Sequence, residues 1–268
     1  MRVRVPASIA NLGSGFDVLA MAVDLWLEVI AEPADAPEWE FLGEGADFLS
    51  CNRNPLSVLP MRGQVRNGIP MGVGLGSSAA ARLAASALGG LDRDRCFEVA
   101  ASQEGHPDNV AAAAYGGIRL VAPSPLALPR PEVEIALLVA HRPALTEAAR
   151  RVLPAQVPLA DAIFNAGRLA LLIHALHSGQ LELLADALKD RLHQPYRCPL
   201  YPWTAEVLEA ARVAGDYGTA ISGAGPSVFA FCPPGEGQRV AAAMAAAAPS
   251  EGYSLVSRIA NSGMIIEA

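Results

Sequence analysis

Between Pro70 and Ala80 the chain reads Pro70-Met71-Gly72-Val73-Gly74-Leu75-Gly76-Ser77-Ser78-Ala79-Ala80, three alternate glycines that run into two serines and an alanine-rich segment. Glycine takes conformations closed to other residues and lets a backbone N–H approach an anion closely. The spacing predicts a helix from the serines to about Leu88, with Ser77 or Ser78 as N-cap and Gly89-Gly90 as its stop. The free amides and positive dipole end of such a helix form a cradle for phosphate. Two better-known glycine loops are excluded. A P-loop needs Gly-Lys-Ser/Thr and a dinucleotide fingerprint needs G-x-G-x-x-G after a strand, and neither is present. The chain's single lysine, Lys189, lies in the acidic run Ala185-Asp186-Ala187-Leu188-Lys189-Asp190, remote from any glycine loop. Nucleotide phosphates bound at the cradle must therefore be neutralised by backbone amides, a metal or arginine. Taken alone, the stretch is equally readable as a glycine-rich turn before an ordinary helix.

Length and composition narrow the setting. With 268 residues the chain suits one large domain or two ordinary ones, and we expect two, residues 1–131 and 132–268, divided at the proline-rich segment Pro123 to Pro131. Hydrophobic residues make up 52 % of the chain, yet no run of about 18 apolar residues stands out as a membrane span. The tract from Val240 to Ala248 is too short, and Met1-Arg2-Val3-Arg4-Val5-Pro6 reads as a charged strand, not a signal peptide. A soluble, cytoplasmic protein without a membrane partner is expected. The net charge of −7 and the absence of a basic stripe argue against nucleic-acid binding. Cys51, Cys96, Cys198 and Cys232 are widely spaced, which suits reduced thiols in apolar surroundings.

Strands are expected at Arg2 to Pro6, Val18 to Ala31, Val133 to Ala140, Thr219 to Ser222, Ser227 to Cys232 and Ser254 to Ile266. Helices are expected at Asp92 to Gln103, Thr146 to Leu153, Leu159 to His177, Leu181 to Leu192, Trp203 to Ala214 and Gln238 to Ala248. Residues 33–60 are read as short strands and loops, and Asn67-Gly68 as a turn. This alternation indicates an α+β or α/β protein.

Two further polar, glycine-containing motifs punctuate the chain. One is Ala7-Ser8-Ile9-Ala10-Asn11-Leu12-Gly13-Ser14-Gly15-Phe16-Asp17 and the other Ser222-Gly223-Ala224-Gly225-Pro226-Ser227. Each alone is most simply a turn. Together and in this order with the cradle, the three resemble the motifs of the GHMP kinases, and the likeness runs from end to end of the chain. Within that family the likeness is nearest to the homoserine kinases. It is carried by Ala10 to Asp17, by Glu104-Gly105-His106-Pro107-Asp108-Asn109-Val110 with Gly116-Gly117, by Arg150-Arg151-Val152-Leu153-Pro154, and by His193-Gln194-Pro195-Tyr196-Arg197.

The resemblance implies a two-domain α+β fold: an N-terminal domain like domain 2 of ribosomal protein S5 and a ferredoxin-like C-terminal domain, with the active site in the cleft between them. It implies ATP and Mg²⁺ as cofactor and metal, L-homoserine as acceptor, and O-phospho-L-homoserine, a threonine precursor, as product. Many members are dimers, but no feature of this sequence decides that point. The glycine stretch from Pro70 to Ala80 would hold the nucleotide. Ser78, with Ser77 in reserve, and Glu104 would hold Mg²⁺ through hard oxygen ligands.

Homoserine carries an ammonium, a carboxylate and a terminal hydroxyl. Asp17, assisted by Asn11, suits the ammonium, while Arg150 and Arg197 suit the carboxylate through planar charge-assisted bonds. Thr146 is either a helix cap or a further substrate contact. His106 and Asn109 resemble the family's contacts near the hydroxyl, and Gly223 supports the site from the second domain. Asp108 either accepts the hydroxyl proton or orients its loop, because a loose phosphoryl-transfer transition state needs positioning more than a strong base. One departure stands out. Homoserine kinases usually carry a helix beside the nucleotide between the equivalents of Leu56 and Gly68, where this chain is short. The base is then expected against Ser57 to Met61, or held more weakly. Two other readings remain open at this point: a GHMP-type kinase for another small alcohol, and a non-catalytic ligand-binding protein on the same scaffold.

Overall fold

Val3, Val5, Ala7 and Ile9 alternate along the first strand, β1 (Arg2–Ala10), and all four are fully buried. A period of two places them on one face, and that face carries the N-terminal core. The computed structural model describes residues 1–144 and 146–267. After β1 come β2 (Leu19–Pro33), β3 (Glu38–Gly43), α1 (Ala46–Cys51), β4 (Met61–Asn67), α2 (Ser77–Leu88), α3 (Arg93–Glu104), α4 (Asp108–Tyr115), β5 (Ile118–Val121) and β6 (Pro125–Leu128). The second half holds β7 (Glu134–Ala140), α5 (Thr146–Arg151), α6 (Leu159–Ser178), α7 (Leu184–Ala187), α8 (Gln194–Arg197), α9 (Thr204–Val213), β8 (Gly218–Ile221), β9 (Val228–Cys232), α10 (Gly237–Ala247), β10 (Gly252–Ser257) and β11 (Ile265–Glu267).

The first sheet runs β11-β1-β2-β4-β3, with β5 and β6 continuing from β2. β2 is long enough to serve two partners, pairing with β4 over Leu27 to Pro33 and with β5 over Leu19 to Met21. β3 and β4 run parallel, with α1 in the connection between them. Helices α2 and α4 cover β1 and β2. In α4, Val110 and the alanines from Ala111 to Ala114 are completely buried, because side chains this small let the helix lie close against the strands. That close seat fixes Asp108 and Asn109, the first two residues of α4, at the end of the sheet.

The second sheet is antiparallel in the order β10-β7-β9-β8, which by sequence order is the 4-1-3-2 arrangement of a ferredoxin-like unit. Its strands divide their side chains cleanly. Ala136, Leu138, Val228 and Ala230 pack with α9 and α10, while Ile135, Leu137, Phe229 and Phe231 join one continuous core with the first sheet and α6. The two-domain α+β expectation is met, and β11 returns from the second half to pair with β1.

The structure differs from the sequence reading in several places. The segment read as short strands and loops contains helix α1. The helix expected from Leu181 to Leu192 is a short 3₁₀ turn, Leu181–Leu183, followed by the single turn α7, after which Asp190 turns the chain by accepting from the amides of Leu192, His193 and Gln194. Neither serine caps α2, since its N-cap is Gly76 in the left-handed region at φ 71°. β6 lies within the proline-rich segment. Helix α6 also matters to the membrane expectation. It is 20 residues long with a mean hydropathy of 1.4 over its best window, so length and composition alone would let it cross a bilayer. It nonetheless carries Asp161 and Arg168, which pair with Arg191 and Asp186, and buries Leu172, Ala175 and Leu176 in the core.

Because the core is continuous across both sheets, Phe229→Ala should cost about 3–5 kcal/mol and lower the midpoint of one cooperative unfolding transition. Differential scanning calorimetry checks this, and two separated transitions would contradict the shared core.

Candidate active site

The glycine loop before α2 is held by its carbonyls. Gly72 O accepts from the amide of Ala144, Val73 O from Ser227, and Leu75 O from Ser8, while Gly74 O accepts from Ser222 Oγ at 2.6 Å. Partners from both halves of the chain thus draw every loop carbonyl from Gly72 to Leu75 outward. Among the described residues, none accepts a hydrogen bond from the amides of Gly74 through Ala79. These amides border a cleft of about 380 Å³. The glycines are required by close approach as well as by φ: a Cβ on Gly76 would collide with Ser8 Oγ, and one on Gly74 with Ser222 O.

The same cleft is lined by Met71, Gly72, Gly74, Leu75, Gly76, Ser77, Ser78 and Ala79, and by Asn11, Asp17, Glu104, His106, Asp108, Asn109, Arg150, Arg197 and Gly223. Pro70, Val73 and Ala80, also expected at the nucleotide, instead lie buried behind the loop. The side chain of Thr146 lies outside the described residues, so neither reading of it is decided.

Apolar residues form one end of the cleft. Phe48 and Leu49 of α1, Pro55 and Leu56 after it, and Leu27, Val65 and Met71 line that end, with Arg53 and Asn54 as its polar members. No residue from Ser57 to Met61 does, so the lining expected from the sequence is displaced to α1 and the turn that follows it. That turn is ordered by Asn54, whose side-chain oxygen accepts from the amides of Leu56 and Ser57 while its nitrogen donates to Leu49 O.

Beside the amides, Ser78 Oγ donates to Glu104 Oε1 at 2.6 Å, and the same oxygen accepts from Arg82 Nε at 2.7 Å. Ser78 therefore reaches Glu104 across α2 and α3 instead of capping its own helix. Arg82 went unassigned in the sequence, although it is a lone charge in an alanine-rich helix one turn beyond Ser78. The oxygen pair fits a small hard cation, because Ser78 and Glu104 supply neighbouring oxygen ligands next to free amides and leave room for water.

Asn109 Oδ1 accepts from Ser8 Oγ at 2.8 Å, and Asn109 lines the cleft. Asp108 is buried, and its Oδ1 accepts from the Asn109 amide and lies 3.5 Å from His106 Nδ1. The bond to Asp108 raises the His106 pKa above its usual value, against the opposing effect of burial. Asp108 is thereby engaged through Oδ1 at the start of α4.

At the far end, Asp17 and Arg150 hold each other. Arg150 Nη2 donates to Asp17 Oδ1 at 2.7 Å and Nη1 to Oδ2 at 3.1 Å. The sequence reading gave these two residues to opposite ends of one ligand, and here each serves as the other's counter-ion. Asn11, at φ 72°, accepts from the Asp17 amide and donates to Gly223 O, so it ties the first motif to the second-half turn. Arg197 is 2 % exposed, and burial presses its pKa downward, assisted by the nearby Arg150. Phe16 lies beneath both guanidinium groups.

Residues 44–117 match the family model for the N-terminal domain of GHMP kinases, and residues 172–250 the model for their C-terminal domain. The chain is 45 % identical to the homoserine kinase of Thermus thermophilus, with 95 % of this chain and 94 % of that one covered. The chain belongs to the GHMP kinase family. The homoserine kinase of Moorella thermoacetica is 41 % identical over 93 % of each chain. Among solved structures, the homoserine kinase of Cytophaga hutchinsonii superposes with a TM-score of 0.87 at 28 % identity, covering all of this chain and 97 % of that one. The GHMP fold extends to more distant proteins such as the mevalonate kinase of L. major, at TM-score 0.73 and 13 % identity.

The sign of the His106 shift makes the pair testable. A raised pKa in the folded state means that the pair contributes stability in full below the unfolded value of 6.5 and loses it as pH rises through the folded pKa. An NMR titration should show the His106 midpoint move down in Asp108→Asn. An unchanged midpoint would contradict the pairing.

Proposed function

We propose that the protein transfers the γ-phosphoryl group of ATP to the side-chain hydroxyl of L-homoserine, yielding ADP and O-phospho-L-homoserine, the step that precedes threonine formation. The single observation that carries this reading is the division of one cleft into an amide-lined end and a zwitterion-matched end, set by the glycine loop and by Asp17 with Arg150. The 45 % identity to a homoserine kinase supports the choice of acceptor.

Each part of the substrate pair has a counterpart. The free amides of Gly74 to Ala79 and the α2 N-terminus receive the phosphates, and the apolar end formed by Phe48, Leu49, Pro55, Leu56 and Val65 receives the base. Ser78 and Glu104 would hold Mg²⁺, which would neutralise phosphate charge. Arg82, next to Glu104, adds a positive charge where the chain has no lysine. At the other end the substrate ammonium replaces Arg150 on Asp17, and its carboxylate replaces Asp17 on Arg150, with Arg197 as the second cation. Each exchanged charge keeps an opposite partner, so neither protein group is left unpaired and desolvated.

The hydroxyl then points toward Asn109 and His106. Asn109, braced by Ser8, offers its amide N–H there, and Asp108 fixes the loop. Positioning in line with the phosphate supplies most of the rate, consistent with a loose transition state. The domain division at residue 131, a soluble cytoplasmic setting, and L-homoserine and ATP as small-molecule partners belong to the same reading.

A coupled assay with ATP, Mg²⁺ and a panel of homoserine, mevalonate, shikimate and galactose tests it. Turnover is expected with homoserine, and turnover of another alcohol with none of homoserine would overturn the assignment. Arg150→Ala should raise the KM for homoserine about tenfold to a hundredfold, the loss of a bidentate charge-assisted contact. Its KM for ATP should stay near that of the unmodified enzyme. In Glu104→Gln, kcat should fall by about two orders of magnitude or more, the scale seen when one group stabilising transition-state charge is removed, and excess Mg²⁺ should restore part of it.

A further inference from the structure

Among the described residues His193 is the one histidine with no exposed surface, and the roles proposed so far leave it unused. It sits where the first-motif loop meets α8. Nε2 lies 2.8 Å from Gly13 O in the first-motif loop, and Nδ1 lies 3.2 Å from Arg197 Nη1. A carbonyl only accepts and a guanidinium only donates, so both bonds form together only in the neutral tautomer with its proton on Nε2. The ring also stacks on Phe16, with centroids 5.2 Å apart and planes 22° apart. Phe16 in turn lies beneath the Arg197 guanidinium.

The remaining bonds of Arg197 are equally fixed. Nε donates to Ala149 O and Nη1 also donates to Gly223 O. Among the described residues, Nη2 has no hydrogen-bond acceptor, and Arg197 lines the cleft that holds Arg150 and Asp17. Three anchors thus occupy Nε and Nη1 and leave Nη2, with its two hydrogens, for a ligand carboxylate. We infer that His193 is a positioning residue of the acceptor site: its Nδ1 lone pair orients Arg197 so that the guanidinium presents Nη2 to the carboxylate of an amino-acid substrate. This rests on the homoserine reading above.

The groups facing the ring support a neutral imidazole. Burial pushes its pKa down to about 4. Asp190 on one side and Asp17 beyond it act in the opposite direction, while Arg197 adds to the lowering. Asp190 does not need a charged ring as partner, because its oxygens already accept from Asn165 and from the amides of Leu192, His193 and Gln194.

The test compares His193→Asn, whose Oδ1 can take the place of Nδ1 as acceptor, with His193→Gln and His193→Leu. Steady-state kinetics with homoserine and ATP should show the KM for homoserine within about threefold of wild type in His193→Asn. It should rise about tenfold or more in the other two, the scale of a lost bond to a charged group. The KM for ATP should stay constant, and kcat should change less than the homoserine KM. Equal KM values in folded His193→Asn and His193→Gln would overturn the inference, as would a KM that simply follows the loss in Tm. Should the leucine variant fail to fold, the wild-type protein still decides. Long-range ¹H–¹⁵N spectra should show His193 Nδ1 unprotonated and Nε2 protonated at neutral pH, and the opposite tautomer would overturn the inference. No turnover of homoserine by the wild type would instead overturn the reading on which it rests.

Discussion

The whole site depends on where four carbonyls go. A glycine-rich loop has as many acceptors as donors, and it can present donors to an anion only if its carbonyls find partners elsewhere. Here Ala144, Ser227, Ser222 and Ser8 supply those partners for Gly72, Val73, Gly74 and Leu75. Three of the four come from the second half of the chain, so the phosphate cradle is completed only when both sheets have formed. This explains why the turn from Ser222 to Ser227 belongs to the site although it supplies few groups to the cleft itself. It also explains Ser8, which backs Gly76, donates its amide to Leu75 and steadies Asn109.

A second economy governs the acceptor end. A buried or half-buried charge is costly without a partner, and a pocket for a zwitterion needs one group of each sign. Asp17 and Arg150 meet that requirement by pairing with each other, so neither member of the pair is left unmatched before a ligand enters. A zwitterion replaces the pair one for one, whereas a ligand with a single charge leaves one member unmatched. Selectivity for an amino acid over a neutral sugar or a simple acid then follows from electrostatics as much as from shape. Arg197 differs from Arg150 in being locked in place by His193, Ala149 and Gly223. One arginine is exchangeable and the other is fixed.

Much of this was legible in the sequence, and the exceptions have physical causes. The alternate glycines and the helix that follows them could be read from local spacing, whereas the convergence of Asp17, Glu104, His106, Asn109, Arg150 and Arg197 could be read only through the family resemblance that the ordered motifs carry. The apolar end of the cleft could not. Helix α1 is a six-residue element with no buried residue and a left-handed glycine as N-cap, so it carries neither periodicity nor a cap signal. The serine cap failed for a different reason. Gly76 already takes the N-cap position, and Glu104 from the next helix offers Ser78 a charged acceptor. Tertiary contact overrode a local preference. Arg82 and His193 were invisible as site residues for a related reason, since Arg82 meets Glu104 from 22 residues away and the tautomer of His193 is set by Gly13 from 180 residues away.

The central claim is that backbone amides turned outward by their own carbonyl anchors hold the triphosphate. The most direct measurement is the change in backbone ¹H–¹⁵N resonances when Mg²⁺ and a non-hydrolysable ATP analogue are added to the labelled protein. The account predicts the largest shifts, with slowed amide exchange, at Gly74, Leu75, Gly76, Ser77, Ser78 and Ala79. Saturable nucleotide binding that leaves these six amides unmoved would contradict it.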